Sequence, residues 1–252
     1  DRSAYTYYEP PKTFVKSAIR VINVLEYFYR DRQPARAVEI SRELDMPVSS
    51  TKYLLTSLVE SGYLTFDKTA KTYFPSILFS GFASWLAEIY PSGEVLRELA
   101  KEVHAQLQDI VSIVVQHEHN MRALIIEKSS GKTPPAYDFR VRIPMIGSAS
   151  GSIALSTKSD KEVAAFVAQE ARKVPPHLRQ FQGDEVLMQI RHVRQQGYAI
   201  REHTVTVDGQ LETLIAVAIA VPAAHNSPPM ALGVCSNKDK LAGREAEVAS
   251  IM

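Results

Sequence analysis

The sequence predicts an α+β chain in two parts. A helical first third closes on a short hairpin, and a larger second domain lays helices against an antiparallel sheet. Three observations carry this. Apolar residues recur at helical spacing from residue 14 to residue 61. Apolar and polar residues then alternate in YLTFDKTAKTYF. Beyond residue 93, strand-like runs such as IVSIVVQ, LIAVAIAVP and MALGVCS are interleaved with helical stretches.

Length and composition bound the problem. The chain has 252 residues, room for two domains at about 100–200 residues each. It is 45% hydrophobic and 23% charged, with formal net charge +1, so it is globular and not a polyelectrolyte. Residues 1–75 hold 11 Lys and Arg against 9 Asp and Glu, too small an excess to argue for nucleic acid without placement. Cys235 is the single cysteine and excludes an intrachain disulfide. That suits a cytoplasmic setting and reads as a small buried residue of MALGVC. No apolar run reaches the ~18 residues of a membrane span, and no signal segment is visible.

Residues 1–13, with Pro10-Pro11, read as a flexible N-terminal arm. From Phe14, the residues Val15, Ala18, Ile19, Ile22, Leu25, Phe28 and Tyr29 are expected on one buried helix face. Pro34 interrupts. A short second helix carries Ala37, Ile40 and Leu44, and the DMP turn places Pro47 at the start of a third helix, Val48 to Ser61. Gly62 ends it. The hairpin follows, with its polar tip at 67–71, then a linker helix at about 76–88 and a boundary at YPSG. Trp85 in that linker helix reads as a packing residue, within or between subunits.

Two helices, a tight turn, a third helix and a wing make the order of a winged helix-turn-helix, in which the third helix faces the major groove. VSSTKYLLTSLVESGYL fits: Leu54, Leu55 and Leu58 face inward, while Ser49, Ser50, Thr51, Lys52 and Tyr53 occupy the first turns. There, hydroxyls, the Lys52 ammonium and open backbone N–H groups suit phosphates and base edges. Arg36 and the wing-tip Lys68 and Lys71 add phosphate contacts. The alternative reading of the pattern is an ordinary three-helix bundle with solvated charges.

IGSASGSIAL, at 146–155, raises the question of catalysis. A nucleophile elbow needs G-x-S-x-G, and the central position here is Ala149. A phosphate loop needs a Lys that does not follow Gly151, and the dinucleotide fingerprint fails on spacing. No catalytic residue and no cofactor are assigned. What remains is a loop that either cradles an anion with backbone N–H groups or caps a helix near Ser148 or Ser150. His117 and His119 share a strand face but lack a third ligand, so no metal is expected. Tyr137 and Phe139 are candidates to line a pocket or pack in a strand.

VKSAIRVINVLEYF, AVEISRELDMPVSSTKYLLTSLVESGYL and the wing resemble the N-terminal domain of the IclR family of bacterial transcription regulators. GEVLRELAKEV, IPMIGSASGSIALS, IRHVRQQGYAI and IAVAIAVP are similar to that family's effector-binding domain. The resemblance implies a winged helix-turn-helix DNA-binding domain at 14–75, a linker helix at 76–93 and an α/β effector-binding domain at 94–252. It implies a homodimer or a tetramer built as a dimer of dimers, a partly palindromic double-stranded operator, and a small organic acid effector. It places the effector against backbone groups of Ala149 and Ser150, with Ser148 beside them.

The chain departs from the family pattern at informative positions. Val48 stands where a basic residue is common, and Tyr53 where Arg is common, which suggests a different operator. Gly151-Ser152 replaces Gly-Lys, and Ile146 replaces a common His. Arg201 replaces a frequent Asp, and a polar or Cys position aligns near Thr213 or Leu214, the latter taken as an effector residue. An Arg in a pocket grips a carboxylate through paired hydrogen bonds, so Arg201 is assigned to an acidic, aromatic or short-chain effector; the alternative is a solvated Arg beside Glu202. A sensor acting through protein partners and a serine hydrolase using Ser148 or Ser150 are the rival functions.

Overall fold

The computed structural model describes residues 6–7, 15–89, 93–128, 141–173, 183–207, 210–222 and 227–252. Tyr137, Phe139 and the YPSG positions 90–92 lie outside the described residues. The chain divides into two compact units, 9–95 and 1–8 with 96–252.

In chain order the elements begin with β1 (Thr6–Tyr7), which belongs to the larger unit. The smaller unit holds α1 (Lys16–Asp31), α2 (Ala37–Glu43), α3 (Val48–Glu60), the hairpin β2 (Leu64–Asp67) and β3 (Thr72–Pro75), and α4 (Leu78–Ile89). Val24, Phe28, Ile40, Leu55 and Leu64 form its core. The expected buried face of α1 is corrected here. Val24 and Phe28 are buried, whereas Val15, Ala18, Ile22 and Tyr29 are exposed. The helix is apolar on more than one side, and α2, α3 and the hairpin cover only one.

The turn between α2 and α3 is tied at both ends. Asp45 takes a left-handed φ of 48°. The Met46 N–H donates to the Ser41 carbonyl at 3.0 Å, and the buried Ser41 hydroxyl donates to the Met46 carbonyl at 2.6 Å. Gly62, at φ 84°, ends α3 as expected. Asp67 closes the wing tip by accepting from the N–H groups of Thr69 and Ala70 at 2.7 and 3.0 Å. These bonds hold its carboxyl below the usual carboxylate range. Arg30 braces α1 against α2, meeting Asp31 at 2.7 Å and Glu43 at 2.8 Å.

The larger unit contains α5 (Gly93–Leu107), β4 (Ile110–His117), β5 (Asn120–Glu127), β6 (Val141–Pro144), α6 (Ala149–Ser156), α7 (Asp160–Lys173), α8 (Gly183–Gln196), β7 (Tyr198–Val207), β8 (Gln210–Val221), β9 (Met230–Asn237), α9 (Lys238–Leu241) and α10 (Glu245–Ile251). Its strands form one antiparallel sheet in the order β1-β6-β5-β4-β9-β8-β7. The expected α+β architecture holds. The flexible-arm expectation does not hold at Thr6 and Tyr7, which pair with Arg142 and Val141.

Both faces of the sheet are covered, and β8 shows why. Ile215, Val217 and Val221 point to one side and join Leu96, Ala100 and Val103 of α5 and Val248 of α10. Ala216 and Ala218 alternate to the other side, where Ala149, Ile153 and Ala154 of α6 pack with Val186 and Ile190 of α8. Small sheet residues let α6 approach so closely that Ala149–Leu155 are all buried.

Candidate functional site

The smaller unit presents one surface built around α3. Its N-terminus has no side-chain cap, because Pro47 occupies the N-cap position. First-turn N–H groups are therefore open to an anion, and the helix dipole favours one there. Ser49 and Lys52 are exposed, Ser50 is half-buried, and Tyr53 is 78% exposed. Lys68 and Lys71 are exposed on the wing, and Arg36 is exposed at the start of α2, where its backbone N–H donates to Glu39 at 2.6 Å.

Thr51 is a correction. It has no exposed surface, and its hydroxyl donates to the Pro47 carbonyl at 3.1 Å. It lies one residue from the outward face, because helical rotation carries position 51 inward when 49 and 53 point out. The exposed pair Thr56 and Ser57 extends the face one turn further, a continuation that the i+3 and i+4 spacing from Tyr53 already contains.

In the larger unit, the glycine–serine loop resolves into parts. Gly147 takes φ 86°, the left-handed region. Ser148 is the N-cap of α6: its hydroxyl accepts from the Gly151 N–H at 3.0 Å and donates to the Pro144 carbonyl at 2.5 Å. With its hydroxyl proton given to Pro144 and its side chain buried, Ser148 holds the loop in place. Gly151 sits against the crossing backbone; an added Cβ would lie 2.3 Å from the Met145 oxygen. Among the described residues, the N–H groups of Ala149 and Ser150 have no acceptor.

Arg201, on β7, comes to the same helix. Its guanidinium donates to the Ser152 hydroxyl at 3.2 Å, to the Gln189 side-chain oxygen at 2.7 Å and to its neighbour Ile200 carbonyl at 2.8 Å. Burial presses its pKa down, and among the described residues no carboxylate pairs with it. The alternative of a solvated Arg beside Glu202 is set aside, since Glu202 pairs with Lys238 at 2.8 Å.

Register completes the site. Arg201 lies opposite Ala216, which lies opposite Cys235, and His203 lies opposite Leu214. Leu214 therefore shares the sheet face of Arg201 but sits one pair along and is buried. Gln189, His203 and Ala216 were not singled out in the sequence, and Ser152 and Cys235 were noted there without being assigned to this site. Only His203 carried a signal, as the next same-face position after Arg201 in YAIREHTV. Burial lowers the His203 pKa, favouring the neutral imidazole. Among the described residues, no group of three His, Cys, Asp or Glu could hold a metal ion, and no helix is long and apolar enough to cross a membrane.

Two family models match. The IclR helix-turn-helix domain matches residues 17–68, and the bacterial transcriptional regulator IclR C-terminal domain matches residues 92–252.

The chain belongs to the IclR family.

It is a transcription regulator, not an enzyme. Solved IclR structures share its fold. The Thermotoga maritima IclR is 13% identical, with 93% of each chain covered and a TM-score of 0.60. An IclR regulator from Alicyclobacillus acidocaldarius is 18% identical, with 94% of each covered and a TM-score of 0.58. The effector domain of a putative transcriptional regulator IclR from Acinetobacter sp. ADP1 is 21% identical, covering 66% of this chain and 92% of its own, with a TM-score of 0.54. No curated protein sequence matches this chain. In this IclR-family chain the α3 surface belongs to the helix-turn-helix match, and Arg201 with α6 belongs to the C-terminal match.

Proposed function

We propose that this regulator binds a partly palindromic operator in the cytoplasm as a homodimer or tetramer, and that a small organic acid changes its DNA affinity. The observation that carries the acid is Arg201: a half-buried guanidinium, hydrogen-bonded to neutral groups of α6 and α8, with no carboxylate beside it among the described residues. A ligand carboxylate supplies that missing charge, and a hydrogen bond between ionised partners is roughly twice as strong as one between neutral groups. The N–H groups of Ala149 and Ser150, at the start of the same helix, offer a second anchor.

On the DNA side, Ser49, Ser50, Lys52 and Tyr53 enter the major groove, while Arg36, Lys68 and Lys71 hold phosphates. Regulation is linkage: the acid shifts operator affinity by its difference in affinity for the two states. Calorimetric titration of the full chain with a panel of aromatic and short-chain carboxylic acids tests the effector. Arg201→Gln is expected to weaken the best acid at least tenfold. Unchanged affinity in that variant removes Arg201 from the site. Operator binding that is insensitive to salt favours the protein-partner reading instead.

A further inference from the structure

Exposure defines the outward face of α3. Val48, Ser49, Lys52, Tyr53, Thr56 and Ser57 are exposed, while Thr51 and Leu55 are buried on the opposite side. Two of these outward residues are apolar or aromatic and protrude. Val48, the first residue of the helix, is 40% exposed, and Tyr53 is 78% exposed. Among the described residues no hydrogen bond, ion pair or ring contact reaches the Tyr53 side chain.

The residue types missing from this face narrow what it can read. The 13 residues of α3, VSSTKYLLTSLVE, include no Arg, Asn, Gln or Asp, and the one carboxylate, Glu60, is the last of them. Base pairs are read in the major groove by Arg or Lys on guanine, Asn or Gln on adenine, a carboxylate on the cytosine amino group, and apolar contact on the thymine methyl. The first turns of α3 therefore hold no paired reader for adenine and no acceptor dedicated to cytosine. Lys52 serves guanine or phosphate, and the serine hydroxyls bond donors and acceptors alike. Val48 and Tyr53 match one feature of the groove, a methyl group.

We infer that Val48 and Tyr53 are specificity residues that read thymine 5-methyl groups, so that thymines mark each half-site of the operator. The inference deepens the operator reading above and rests on it. At 3.6 residues per turn the two positions lie about 140° apart, with Ser49 and Lys52 between them, so they meet two different thymines. The Tyr53 ring supplies its contact, and its hydroxyl is not required. Covering one methyl group is worth about three- to fivefold in affinity.

The test starts from duplexes that the unmodified full chain selects from a randomised library. In the tightest duplex each thymine is replaced in turn by deoxyuridine, which removes the methyl and keeps every hydrogen-bonding group. Affinity is read by fluorescence anisotropy at fixed salt. The expected result is a loss of about three- to fivefold at two thymines of each half-site. Val48→Ala should erase the loss at one of them and Tyr53→Ala at the other, whereas Tyr53→Phe keeps it. Lys52→Ala should weaken thymine and uracil duplexes alike. The uracil scan itself uses the unmodified chain and needs no variant to fold. A selected sequence that lacks thymine, or tolerates uracil at every thymine, overturns the proposal and leaves the operator reading standing. So does a uracil loss that survives both alanine variants or vanishes in Tyr53→Phe. A library that yields no preferred sequence overturns both.

Discussion

Gly151→Ala puts the packing of the sensing loop to a quantitative test. The added Cβ would stand 2.3 Å from the oxygen, 2.4 Å from the Cα and 2.6 Å from the carbonyl carbon of Met145. All three are backbone atoms, so no side-chain rotation relieves the contact. Either α6 or the chain at Met145 must move by about 1 Å to reach ordinary contact, and α6 is closed in by Ala149, Ile153 and Ala154 against the sheet. Overpacking of this kind costs about 1–3 kcal/mol. Alanine's better helix propensity returns about 1 kcal/mol at most. Contacts this short with backbone atoms lie at the severe end of that range, so the expected net is a loss of about 2 kcal/mol, a fall of several degrees in midpoint for a unit of this size.

Thermal unfolding of the full chain by circular dichroism measures it, reading the transition of the larger unit because two units need not melt together. Gly147→Ala is the companion. There a left-handed φ carries a penalty of about 1–2 kcal/mol, with no propensity gain inside a helix. If Gly151→Ala melts at or above the unmodified protein, the close crossing of α6 over Met145 is wrong.

The other expectations are simpler. Lys52→Ala should weaken operator binding across sequences and lower the salt slope by about 1, as for one lost phosphate contact, measured by gel shift at several salt concentrations. Thr51→Ala should leave operator sequence preference intact while lowering the melting midpoint, since the hydroxyl closes the first turn of α3 and not a DNA contact. Ser148→Ala removes the N-cap of α6 and should cost about 1 kcal/mol in denaturant unfolding. Hydrogen bonds from Arg194 and Arg191 hold the Asp160 carboxyl below its ordinary value. A depressed folded pKa contributes stability above the unfolded pKa that is lost as pH falls through the folded one. Asp160→Asn should therefore flatten the acid limb of the stability profile, read as melting midpoint from neutral pH down to acid.

The helices of the DNA-binding unit, its wing and the strand runs of the second unit were legible in the sequence because each is written in a local period: 3.6 for α1 to α3, 2 for the hairpin and β8. The glycine–serine loop was legible as non-catalytic for the same local reason, since Ala149 stands where an elbow needs its serine. Period shows which residues share a face; it does not show what covers that face. That is why α1 was read as burying Ile22, and why Thr51 was read with its exposed neighbours. The bond from Arg201 to Ser152 joins residues 49 apart, and its position opposite Ala216 depends on strand register, which no short stretch encodes. Gly151 is the sharpest case. Its sequence context allowed a loop opened for a ligand, and only the tertiary structure showed the chain's own Met145 backbone filling that space.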